Sequence, residues 1–85
     1  MRMLMTEQVG LEKLESLLGI YVKQNYPFIT SISLSSHDDK GPLLTLTYPK
    51  SHRMSENDKD DMIDEIWMFG HKFLGVNLGI KRDLI

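Results

Sequence analysis

A chain of 85 residues with no cysteine and a formal net charge of −2 has room for one small domain, burying roughly 60% of the surface that its unfolded form exposes. The missing thiols exclude disulfides and zinc–thiolate sites and make a reducing cytoplasm the expected setting. The slight acidity excludes the broad basic footprint of a bulk nucleic-acid binder.

No run is long and apolar enough to span a membrane. The opening "MRMLMTEQ" is too short for a signal-peptide core, and residues 1–5 read as an N-terminal tail of a single domain, 1–85. Charge is unevenly placed. Residues 1–53 hold six Lys/Arg against five Asp/Glu, whereas residues 54–85 hold four against seven.

From Thr6 to Asn25, Leu11, Leu14, Leu17, Leu18, Tyr21 and Val22 recur every three or four residues. They fill one arc of about 140°, which predicts an amphipathic helix. Thr6 suits its N-cap. Gly10 and Gly19 each weaken it by about 1 kcal/mol, and Gly19 falls on the polar side, where packing offers no reason for it. Tyr26-Pro27 stops the helix, because the residue before proline is pushed out of helical geometry.

"FITSISLSS" and "LLTLTYP" then alternate with period two, joined by the turn "HDDKGP". This is the pattern of an antiparallel hairpin. Phe28, Ile32, Leu34, Leu44, Leu46 and Tyr48 share the oily face. Ser31, Ser33, Ser35, Thr45 and Thr47 form a hydroxyl strip opposite, with Leu43 among them.

Ser55 caps a second helix, with Asp58 three residues on in the manner of a capping box. Met62, Ile63, Ile66, Gly70, Phe73 and Leu74 form its apolar stripe, widened by Trp67 and Phe69. Gly75 suits its C-terminal cap. "VNLGI" predicts a short third strand over 76–80. The fold class is therefore α+β: a two-layer α-β-β-α(-β) sandwich with an antiparallel hairpin covered on one face by two helices. So few strands leave free sheet edges. With a thin core and a wide apolar helix face, they point to a homodimer.

Chemistry-bearing motifs are sparse. Lys50, His52 and Arg53 precede a helix N-terminus, where amides and dipole favour an anion. The acids of the first turns already satisfy that dipole, however, and no glycine-rich loop lets a phosphate approach. With Lys81 and Arg82 these residues are the candidates for an anion or for nucleic acid lying along the hydroxyl strip. RNA-reading sheets display stacking aromatics, whereas Phe28 and Tyr48 fall on the oily side.

The run from Glu56 to Glu65 holds six carboxylates and one lysine. Its solvent face, Asp60, Asp61, Asp64 and Glu65 with Met68, is the candidate surface for a basic partner or an acidic decoy of the mobile-element type. His37, His52 and His71 show no metal-ligand spacing, and no nucleophile elbow or cofactor motif is present. The expected function is thus a small, non-catalytic interaction or regulatory protein without cofactor or metal. It is expected to be homodimeric and to dock a protein partner through the helix over 55–74 or a sheet edge. Nucleic-acid binding and the acidic decoy are the alternatives.

Overall fold

The computed structural model of the protein describes residues 2–37 and 41–85, with side chains described for 10–36 and 41–85. The element order is α1 (Arg2–Asn25), β1 (Ser31–His37), β2 (Gly41–Tyr48), α2 (Glu56–Leu74) and β3 (Gly79–Leu84). The hairpin turn expected over His37–Pro42 lies, at residues 38–40, outside the described residues. The architecture is α+β, two helices on one sheet, as the sequence pattern predicts.

β1 and β2 pair antiparallel, with Ile32 opposite Leu46 and Leu34 opposite Leu44. β3 joins the other side of β2 in parallel, with Ile80 opposite Leu44 and Arg82 opposite Leu46. A parallel neighbour requires a crossover, and α2 supplies it. α1 lies against β1 and α2 against β3, and the helices touch each other. The core sits between the layers: Leu18 and Val22 of α1, Met62 and Ile66 of α2, and Leu44, Leu46 and Tyr48 of β2 are all buried.

The opposite sheet face is the expected hydroxyl strip. Ser31 faces Thr47, Ser33 faces Thr45 and Ser35 faces Leu43. The three serines are exposed and the threonines half-exposed.

Three expectations are corrected. First, α1 starts at Arg2, so residues 2–5 are helical rather than a tail and Thr6 is not its N-cap. Second, the third strand runs over 79–84 rather than 76–80. Val76 and Leu78 alternate because they pack into the core from the connecting segment. The true strand carries Lys81, Arg82 and Asp83, as an edge strand can. Third, Gly19 does not face solvent: a Cβ there would stand 3.7 Å from Ile32 Cδ1. α1 ends at Asn25 as expected, where the Tyr26 N–H still reaches the Val22 carbonyl at 2.7 Å.

The caps of α2 follow the sequence signals. Ser55 is extended (φ −68°, ψ 162°), and its hydroxyl accepts the Asp58 N–H at 3.1 Å. Gly75 is left-handed at φ 69°. Gly70 is buried where α2 closely approaches the segment leading into β3, since a Cβ there would lie 2.8 Å from Leu78 Cδ1. No helix among the described residues is long and apolar enough to cross a membrane.

These two glycine environments predict opposite outcomes. Gly19→Ala gains helix propensity without a clash and should raise unfolding stability by about 0.5–1 kcal/mol. Gly75→Ala must hold a side chain in left-handed geometry and should lower it by about 1 kcal/mol. Urea denaturation of the two variants checks both signs.

Candidate interaction site

α2 is the element on which candidate side chains converge, because it has a groove on each flank. The first groove, about 390 Å³, lies towards α1 and is lined by Tyr21, Asn25, Glu65, Met68, Phe69, Lys72 and Phe73. The Tyr21 and Phe69 rings stack at 4.1 Å and 13°, and Phe73 follows Phe69 at 5.4 Å. Phe73 was expected in the core stripe, yet it is 75% exposed. By helical period it continues the line Met62–Ile66–Phe69, but it stands past the end of the packed layer. Met68, at 39% exposure, adds to the same apolar surface.

The second groove, about 300 Å³, opens towards β3 and is lined by Asp60, Ile63, Asp64, Trp67, Leu78 and Ile80. Trp67 stacks on His71 at 5.0 Å and 11°, and His71 Nδ1 stands 3.2 Å from Asn77 Oδ1. Ile63 and Trp67 were read only as stripe residues. Their place beside two carboxylates depends on where β3 lies, which no local pattern records.

The predicted acidic surface is therefore divided. Asp60 and Asp64 belong to the β3-side groove, and Glu65 and Met68 to the α1-side groove. Asp61 is exposed. Glu65 is already engaged, because the Tyr26 hydroxyl donates to its carboxylate. Burial pushes the Tyr26 phenol well above its ordinary range, and the hydrogen bond and charge of Glu65 add to this. Burial and the Glu65 charge raise Tyr21 as well. Among the described residues the ion pair formed is Lys59 with Glu56 at 2.8 Å. That ammonium holds the Glu56 carboxyl below its ordinary range, with a smaller contribution from Arg82.

The predicted cations are divided too. β2 and β3 run parallel, so the loop from Lys50 to Arg53 and the end of β3 meet at one end of the sheet. The Lys50 N–H donates to the Ile85 carbonyl at 2.8 Å. Arg82 lies on the helix side and donates from Nη1 to the Tyr48 hydroxyl at 2.9 Å. Lys81 is on the opposite, hydroxyl face, opposite Thr45. Arg53 is exposed. His52 stacks on Phe28 at 3.7 Å and 9°, with Tyr48 edge-on to both rings. Among the described residues no group of three or more acidic or histidine side chains is placed to hold a metal ion.

Comparison with family models, with curated proteins and with solved structures finds no match. The functional reading therefore rests on these surfaces alone.

The Tyr26–Glu65 bond joins the end of α1 to the middle of α2. Tyr26→Phe should cost about 0.5–1 kcal/mol, the range for a partly exposed bond to a charged acceptor. The sign of the pH effect follows from a raised folded-state pKa. The stabilisation is complete below the ordinary phenol range and is lost as pH rises through and above about 10. Alkaline melts should show the wild type losing stability over that window more steeply than Tyr26→Phe, and phenolate absorbance should record a late-titrating component that diminishes in Tyr26→Phe.

Proposed function

We propose that this protein is a small, non-catalytic interaction module that works as a homodimer, with the α1-side groove of α2 as the contact between two copies. The observation that carries this reading is the 75% exposure of Phe73 at the end of a groove whose rim holds opposite charges. A large aromatic ring on the line of a core stripe is left uncovered only where something else covers it.

A second copy suits the position because the groove is complementary to itself. Along α2, Glu65 lies towards its acidic end and Lys72 towards its basic end, with Met68 and Phe69 between them and Phe73 just beyond Lys72. Antiparallel pairing of α2 with its counterpart about a two-fold axis near Met68 sets each Lys72 against the other copy's acidic residues and each Phe73 against apolar surface. That is the isologous arrangement of a two-fold dimer. A core this thin gains from such burial, and an exposed aromatic ring is the kind of side chain that anchors an interface. In this proposal the dimer presents its remaining surfaces to a protein partner within a reducing compartment such as the cytoplasm.

A second reading is favoured by one observation. His52 lies flat on Phe28 with Lys50, Arg53 and Arg82 at the same end of the sheet. A half-exposed ring stack flanked by cations is a platform for an unpaired base. On that reading Arg53→Glu weakens single-stranded nucleic-acid binding several-fold and reduces its salt slope by about one. Absence of binding at low salt, measured by anisotropy of a labelled oligonucleotide, disposes of it.

The dimer is tested by light scattering on the full chain. The wild type should elute as a dimer at micromolar concentration. Phe73→Asp should elute as a monomer with unchanged circular dichroism, because the side chain is not packed in the monomer. A wild type that stays monomeric at every concentration, or a Phe73→Asp variant that stays dimeric, overturns the assignment.

A further inference from the structure

We infer that the outer edge of β3, together with the groove beside it, binds an extended peptide segment carrying a lysine or arginine between apolar residues. The inference rests on the reading of the protein as an interaction module and names the chemistry of its partner.

Among the described residues the sheet ends at β3, and the outer side of this strand has no neighbouring strand. Half of the backbone donors and acceptors of such an edge point outward, and an added strand satisfies them. The other edge of the sheet is less open. At β1 the Leu34 N–H donates to Glu15 Oε2 of α1 at 2.8 Å, so a side chain already occupies part of it.

The groove supplies the selectivity. Its floor and walls are Ile63, Trp67, Leu78 and Ile80, and its rim is Asp60 and Asp64. The two carboxylates stand one helical turn apart on the same flank of α2. Neither is in an ion pair among the described residues, whereas Glu56 nearby is held by Lys59. Trp67 is fixed from one side by its stack on His71.

Side chains of a strand added to β3 alternate between the two sheet faces. Those on the helix side enter this groove. A lysine or arginine there lays its aliphatic stem against Ile63 and Ile80 and its charged head between Asp60 and Asp64, with the indole close enough to contribute. The apolar side chains that flank the cation then fall on the other face of the added strand. An acidic segment is rejected by the same pair of carboxylates.

Trp67 is the chain's single tryptophan and lines the groove, so its emission reports occupancy directly. The probe is a capped peptide of alternating valine and lysine, titrated into the full-length protein. A saturable change in Trp67 emission is expected. Affinity should fall about tenfold in the double variant Asp60→Asn/Asp64→Asn, whose exposed side chains leave the fold intact. N-methylation of the amides along one edge of the peptide should abolish the change, and methylation along the other edge should leave it in place, as strand addition requires.

Four results overturn the inference: no saturable change; equal binding of an alternating valine–glutamate peptide; undiminished binding by the double variant; or indifference to methylation on either edge. An emission change that appears with protein concentration alone assigns the edge to a second copy and overturns it as well. Light scattering on the same samples separates the two proposals. A dimeric protein that ignores the peptide removes the site and leaves the dimer. A monomeric protein that binds the peptide does the reverse.

Discussion

Burial of β2 is the constraint on which the rest of this molecule depends. Leu44 and Leu46 are completely buried and Tyr48 nearly so, and β2 alone has a strand on each side. A three-stranded sheet in so short a chain can be covered on one face only. Both helices are drawn to the face where Leu44, Leu46 and Tyr48 emerge, and the other face is left to serine and threonine. The requirement reaches outward through Tyr48. Its ring touches Phe28 and His52, and its hydroxyl accepts from Arg82, so one core residue ties together the loop after β2 and the end of β3. The parallel placement of β3 has the same origin, because α2 must cross back over this face before the chain can rejoin the sheet.

Length mismatch between the layers explains where unsatisfied surface appears. α1 has 24 residues and so extends for about 36 Å, whereas strands of seven or eight residues reach about 25 Å. The molecule is accordingly elongated, 45 × 24 × 23 Å. Around Gly10 a Cβ would meet nothing within 4 Å. At the end of α2, Phe73 passes the edge of the layer for a related reason. Its apolar character matches the helical stripe, but among the described residues no strand or helix covers it. Leu17 and Met68 share that condition to a smaller degree. Two of the large exposed apolar side chains, Met68 and Phe73, thus share one groove, whereas Ile20 and Ile85 are exposed away from it.

What was legible in the sequence is what short-range chemistry decides. Ser55, Gly75 and Tyr26-Pro27 mark boundaries that backbone geometry alone demands, and they appear where expected. Alternation in β1 and β2 likewise sorts hydroxyl from oily side chains, because a strand has only two faces. Periodicity is silent on where a layer ends, so Phe73 looked the same as Ile66. It also misassigned "VNLGI": Val76 and Leu78 are apolar because the approach to the strand is buried, not because they are the strand. "KRDL" does not look like a strand at all, since its pairing with β2 is a long-range contact made by backbone atoms. Gly19 seemed wasted on a polar face until β1, brought alongside, gave it Ile32 as a neighbour. The two grooves were invisible for the same reason, each being shared between α2 and an element distant in sequence.

The position of α2 between two grooves has a consequence for how they relate. Its buried line, Met62, Ile66 and Gly70, leaves little freedom to rotate, because Leu78 packs so near Gly70 that an added Cβ would stand 2.8 Å from it. Tyr26, from beyond the end of α1, restrains it further through Glu65. A helix held in this way cannot relieve strain on one side by rolling towards the other. Occupancy of the α1-side groove therefore leaves the geometry of Asp60, Asp64 and Trp67 essentially unchanged, since coupling requires an element with two packed arrangements. The surfaces of α2 are thus independent by construction. The proposed self-association and the proposed peptide binding are therefore sterically compatible on one nineteen-residue helix, because they use different flanks.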